Sequence, residues 1–309
     1  MNAQRHRALD RSVERSAVTA FVPVFALVPV WLLSLAVFWL PVAAVWRVPF
    51  WMFAAGHLAA VVLMFWRPLQ TVLVMRMLGA ARATAHEAAL LEPAWRSVAQ
   101  QLGIRSRRYA LAVLPSEELN AFACGGSLLV VTSYAIETLP RDEMTGVLAH
   151  ELAHHLGFHT VALTLRQWLS LPVFLLARVG FFLQNVATAA TKSYVSHSSA
   201  LSAVGRLVAG ILKAISWVFL SALLLSNRIA GRVERNAEYE ADRRAVEMGF
   251  GRELATALRR VEAGSRAAAE HHDDPLVHHL TVTHPSARNR IVRIEAMVRR
   301  LGSRQRLMR

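Results

Sequence analysis

The sequence predicts a multi-pass α-helical membrane protein that carries an α+β domain with a small β-sheet outside the bilayer. Three observations predict it. Two long uncharged runs lie near the N-terminus, Ala17–Trp46 and Val48–Trp66, and each is long enough to cross a hydrocarbon core of about 30 Å as a helix. Short β-type runs follow at Tyr109–Leu114 and Ser127–Thr132, with the Cys124-Gly125-Gly126 turn region between them. From Asn227 onward the chain is polar, Arg-rich and helical in pattern. The composition agrees: 54% of residues are hydrophobic and the mean hydropathy is +0.34, with the excess gathered in blocks instead of spread at helical spacing.

Taken in order, residues 1–16 form a polar N-terminal segment with Arg5, Arg7, Arg11 and Arg15. Residues 17–66 form a hairpin of two membrane helices; the first is too long for a signal-peptide core, and Pro23 or Pro29 is suited to kink it. Arginines flank this hairpin on both outer sides, and its turn holds only Arg47. By the positive-inside rule both ends face the cytoplasm. His57 lies inside the second span, where an imidazole serves either as a hydrogen-bond partner between helices or in a proton relay. Residues 67–160 form the first part of the water-exposed domain, with an amphipathic helix from Leu69 to about Gly103, a small sheet between Ser106 and Thr132, and a helix started by the polar segment 137–143. Residues 161–226 contain two further apolar blocks interrupted by Arg166, Arg178, Arg206 and Lys213. They read as a second hairpin, or as helices lying on the membrane surface. Residues 227–309 complete the water-exposed domain.

The net charge of +14 raises the possibility of nucleic acid, but no zinc knuckle, RNP-like run or aromatic-interleaved basic stripe accompanies it, so no nucleic-acid partner is expected. An arginine excess outside the spans is what a bilayer with anionic headgroups selects. The single cysteine, Cys124, excludes an internal disulfide and a Cys-ligated structural zinc. A metal site in this chain must use His and carboxylate.

His150-Glu151-Leu152-Ala153-His154 is an H-E-x-x-H motif. On a helix, residues four apart share a face, so His150 and His154 can converge on one ion with Glu151 beside them. His155 lies about 140° around the helix from His150, and a continued helix would put His159 on the opposite face, so neither is expected to be a ligand. Asn236–Asp242 supplies carboxylates at i, i+4 spacing: Glu238 as third metal ligand, and Asp242 as acceptor for the outer N–H of a ligand imidazole. The same segment could be a solvated charged helix laced with Arg235, Arg243 and Arg244. One Zn2+ per chain suits a His-His-Glu set with an open position for water. Glu151 would then be the general base of a hydrolase.

Asn120-Ala121-Phe122-Ala123, the strand Leu128–Thr132, His150–His154, Glu238-Tyr239 with Ala241-Asp242, and His284-Pro285 with Arg290 occur in the order of one family. The chain resembles the HtpX-like membrane zinc metallopeptidases, the family of the bacterial heat-shock protease HtpX and the CAAX prenyl protease. The resemblance implies a zincin-like (gluzincin) catalytic domain in a bacterial inner membrane with a cytoplasmic active site. It implies polypeptide substrates, misfolded or membrane proteins, and a role in quality control. It also implies that Asn120 and Ala121 lie on an edge strand pairing with substrate, and that His284 and Arg290 sit near the oxyanion or substrate backbone. His284 can otherwise be a turn residue before Pro285. Three rivals stand beside this reading. An intramembrane protease would carry the motif inside a span, whereas Arg141, Asp142 and Glu143 begin this helix in water. A non-catalytic membrane scaffold would have no need of Glu151. A signalling protein with a protease module would need a sensor domain.

Overall fold

The computed structural model describes residues 2–194, 199–269 and 286–307. Among them it forms two compact units, one of Val22–Leu63 with Leu165–Ala230 and the other of Met1–Phe21, Met64–Thr164 and Gly231–Arg309.

The first unit is made of helical segments: parts of α1 (Asn2–Trp46), α7 (His159–Tyr194) and α8 (Ser199–Met248), with α2 (Phe50–Leu63). Val18–Trp46, His159–Thr191 and Ala203–Met248 each contain a stretch long and apolar enough to cross a membrane. Large apolar side chains such as Phe25, Phe182 and Leu207 are more than 60% exposed, a surface that suits lipid and not water. Inside, Leu27, Leu35, Val61, Val173 and Phe219 are buried. A Cβ added at Gly180 would come within 2.1 Å of Ser216 Oγ, so α7 and α8 approach closely at small residues, as membrane helices do where packing alone holds them. Arg166, an interruption of the third apolar block, donates to Asn227 Oδ1 at 2.6 Å. The expected second span at 48–66 is shorter than the uncharged run: α2 stops at Leu63, and Trp66 takes an extended conformation with ψ 114 before Pro68 enters the first turn of α3 (Arg67–Leu78). Proline at that position both starts a helix and ends the preceding one. A helix of 14 residues spans about 21 Å, short of the core by itself.

The second unit is a three-stranded sheet packed on helices. Its strands are β1 (Ala110–Leu114), β2 (Ala121–Cys124) and β3 (Leu128–Thr132), in the order β1-β3-β2. β3 runs parallel to β1 and antiparallel to β2. As the central strand it is buried at all five positions, which is why Leu-Leu-Val-Val-Thr reads as a continuous apolar run. Leu129 and Val131 face the main core with Trp95, Val98, Leu148, Leu152, Ala245, Leu254 and Ile294; Leu128 and Val130 face the other side with Ala112, Met75 and Phe122.

The single helix expected from Leu69 to Gly103 is two. Gly79 ends α3 with φ 71, and Thr84 starts α4 (Ala85–Gln101) through a capping box with Glu87. The two reciprocal bonds of that box satisfy backbone groups which a continuous helix would satisfy internally. A short α5 (Ser133–Thr138), capped by Thr132, precedes α6 (Arg141–Leu156). Asp142 and Glu143 lie in the first turn of α6, where carboxylates meet the positive helix end, and Glu143 accepts two hydrogen bonds from Arg260, at 2.7 and 2.9 Å. Arg260 belongs to α9 (Gly251–Ala269); α10 (Ala287–Leu307) packs on α9.

Candidate metal centre

α6 carries His150 and His154, and α8 brings Glu238 to them. All three are buried, between 5 and 8% exposed. His150 Nε2 lies 3.2 Å from His154 Nε2 and 3.5 Å from Glu238 Oε2, and His154 Nε2 lies 3.3 Å from Glu238 Oε1. A tetrahedral zinc with bonds of about 2.0–2.1 Å separates neighbouring donors by about 3.3 Å. The donor set therefore fits the ion in both chemistry and spacing. It is the one group of three or more His, Cys, Asp or Glu side chains among the described residues that could hold a metal ion.

Asp242, one turn beyond Glu238 and 1% exposed, lies with Oδ1 3.0 Å from His150 Nδ1. That bond fixes the tautomer in which Nε2 is free for the ion. Arg290, at the start of α10, is held by both carboxylates: Nε and Nη2 donate to the two oxygens of Asp242 at 2.9 and 2.7 Å, and Nη1 lies 3.0 Å from Glu238 Oε2. Its guanidinium supplies positive charge to a pocket that also holds Glu151. The resemblance put Arg290 near the oxyanion or substrate backbone; in the structure its guanidinium lies against the ligand set, with Nη2 also 3.2 Å from His150 Nε2, and the bidentate fork on Asp242 suits an Arg there.

Glu151 Oε2 accepts a hydrogen bond of 2.9 Å from the backbone N–H of Ala123. This follows from the sheet. Thr132 N donates to Asn120 O, and Asn120 N donates to Thr132 Oγ1, so Asn120 turns its main chain toward β3. Alternation along an antiparallel pair then turns Ala121 and Ala123 to the free edge. Of the two expected substrate residues, Ala121 offers its main chain outward, and Asn120 offers only an exposed side chain. His284 lies outside the described residues, as do the histidines and aspartates at 271–279.

His155 points away from the ligand set, as its spacing requires, but it has a role that periodicity did not reveal. Its Nε2 donates to Leu128 O at 3.0 Å, and Thr160 Oγ1 donates to its Nδ1 at 3.1 Å. It ties the motif helix to the central strand. Burial pushes its pKa down to about 4, against the raising effect of the Leu128 carbonyl, so it stays neutral. The expectation for His159 rested on a helix continuing past His154. α6 stops at Leu156, Phe158 adopts φ 56, and the bend returns the His159 ring to 5.7 Å from that of His154.

In the metal-free protein, burial and the Arg290 charge push His150 down, but the carboxylates of Asp242 and Glu238 outweigh them and its pKa stands at about 9. The ordinary value is 6.5, so the raised group stabilises the metal-free fold fully below about pH 6.5, and that contribution is lost as pH rises through about 9. Metal binding has the opposite sign, because His150 must release its proton. Zinc affinity measured by competition with a chromophoric chelator is expected to rise by about tenfold per pH unit from neutrality up to pH 9, and the thermal midpoint of the metal-free protein to fall over the same range.

A sequence profile of peptidase family M48 matches residues 85–298. Among solved structures, the chain is similar to S. mikatae Ste24p, with a TM-score of 0.50 and 18% identity over 84% of this chain and 61% of that one. At that identity the likeness is one of fold, and this chain spans about three fifths of the Ste24p chain. The profile covers both motif helices and Arg290, the segments that build the His-His-Glu cluster, and the chain belongs to peptidase family M48.

Proposed function

We propose that the chain is a zinc-dependent endopeptidase held in the membrane, which cleaves extended segments of misfolded or membrane proteins in quality control. The observation that carries the reading is the convergence of His150, His154 and Glu238, whose ligand atoms all lie within 4.8 Å of one another, with Glu151 beside them. Bound by these three residues, zinc would supply a Lewis acid that acidifies water and polarises a carbonyl. The chain's own residues do the rest. Glu151, oriented by Ala123 N–H, takes the proton of the attacking water and passes it to the leaving amine. The edge of β2 at Ala121 receives the substrate as an added strand, which gives affinity through main-chain hydrogen bonds and little dependence on side chains. Arg290 and Asp242 hold Glu238 and His150 in orientation, and His155 keeps α6 seated on β3. The arginines that flank the N-terminal hairpin support a cytoplasmic site by the positive-inside rule, and the family resemblance supports a bacterial inner membrane.

The test is hydrolysis of casein by the purified chain in detergent. Cleavage is expected without added cofactor, to be lost on treatment with a zinc chelator and to return when zinc is restored. Cleavage that persists after the metal has been removed, confirmed by metal analysis, would contradict the reading.

A further inference from the structure

Several exposed arginines of the sheet-bearing unit sit against carboxylates: Arg96 with Glu92, Arg259 and Arg299 with Glu295, and Arg260 with Glu143. One group departs from this. Arg67, in the first turn of α3, donates through Nη2 to the backbone carbonyls of both Arg107 and Arg108, the last two residues of a 3-10 turn at Ser106–Arg108. The carbonyls anchor its guanidinium at the turn without cancelling its charge, and the side chains of Arg107 and Arg108 leave the same turn. All three residues are exposed, and among the described residues none of them forms an ion pair with a carboxylate. The Arg108 guanidinium lies 6.0 Å from the centre of the Tyr109 ring. Burial raises the Tyr109 phenol above its ordinary pKa, while the charges of Arg108 and Arg67 both act to lower it.

Cations brought together in this way repel, and an anion would remove the repulsion. The position in the chain says which anion is at hand. Arg67 follows Trp66, whose ring is 61% exposed, and both come directly after the apolar helix α2. An exposed indole next to a guanidinium is what a headgroup layer holds, and guanidinium forks match phosphate oxygens. The geometry points to a binding site for the phosphate of an anionic phospholipid, formed by Arg67, Arg107 and Arg108 where the chain leaves the bilayer. This site is independent of the peptidase reading, since none of the three residues takes part in the metal centre.

Native mass spectrometry of the full chain in detergent, titrated with phosphatidylglycerol or phosphatidylcholine, tests it. The wild type is expected to hold phosphatidylglycerol in preference to phosphatidylcholine. Arg107→Gln with Arg108→Gln is expected to weaken phosphatidylglycerol by about thirtyfold, roughly fivefold for each arginine, with phosphatidylcholine unchanged. Both side chains are exposed and the carbonyls that Arg67 caps are retained, so the double variant should keep its thermal midpoint; Arg107→Gln alone gives a second reading with the smaller, fivefold loss. Arg299→Gln with Arg300→Gln, on α10, is the control and should change binding by less than about twofold. Equal retention of the two lipids by the wild type would overturn the site, as would equal losses in the two double variants. Displacement of the lipid by inorganic phosphate would mark a free-anion site instead, and loss of a short RNA with phosphatidylglycerol unaffected would mark a nucleic-acid surface; either result overturns the proposal.

Discussion

Replacing Glu151 by Gln is expected to lower the rate of casein hydrolysis by about 10²–10⁴-fold, the range that positioned general bases contribute, with zinc content unchanged. The amide keeps the shape of the side chain, and its oxygen can still accept the 2.9 Å hydrogen bond from Ala123 N–H. It cannot take a proton from water. The substitution therefore separates the chemistry from the fold: β2, α6 and the three ligands remain as they are. Glu151 is not among the ligand atoms that converge, so zinc should bind as in the wild type. A variant with full activity would mean that another group accepts the proton, and the assignment of Glu151 would fail. A variant without zinc would mean that Glu151 contributes to holding the ion.

Gly146→Ala is expected to destabilise the protein by about 1–3 kcal/mol or more and to weaken zinc binding with it. Gly146 lies on α6 one turn before His150, and a Cβ there would meet Leu254 N at 2.3 Å and Glu253 C at 2.6 Å, both backbone atoms of α9. Alanine is the better helix former by up to about 1 kcal/mol, so in an open position the same change stabilises. Here the close approach of the two helix backbones decides the sign. Moving α9 also strains the bond from Arg260 to Glu143 and shifts the first half of the motif helix. Gly264→Ala, where a Cβ would meet nothing within 4 Å, is the matching control and should raise the thermal midpoint slightly. A higher midpoint for Gly146→Ala would show that α6 and α9 do not pack as closely as described.

The candidate site was legible where it depends on helix periodicity. His150 with His154, and Glu238 with Asp242, are each one turn apart, and spacing alone puts each pair on one face. The convergence of the two pairs needed the motif to suggest a third ligand. The membrane class was legible because bilayer thickness imposes a minimum length on any uncharged run. What the residues did not reveal are features set by single backbone torsions or by tertiary partners. Phe158 takes φ 56, a conformation that a large side chain seldom adopts, and nothing local signals it; yet that residue ends α6 and turns His159 back toward His154. The break between α3 and α4 was readable in Gly79 and in Thr84 with Glu87, a capping signature that apolar periodicity overrode. The end of α2 at Leu63 was likewise marked by Pro68. The sheet order was not readable, because β2 is half-buried at every position and lacks the alternation that marks a strand. Nor was the role of His155 or the carboxylate partners of Arg290, which exist only once the helices are packed.

Zinc content of the Glu238→Ala variant tests the central claim most directly. His150, His154 and Glu238 together hold one ion, so the wild type should contain one zinc per chain, and the variant should contain far less while keeping the helical content of the fold. A folded Glu238→Ala protein that retains stoichiometric zinc with wild-type affinity would contradict the account.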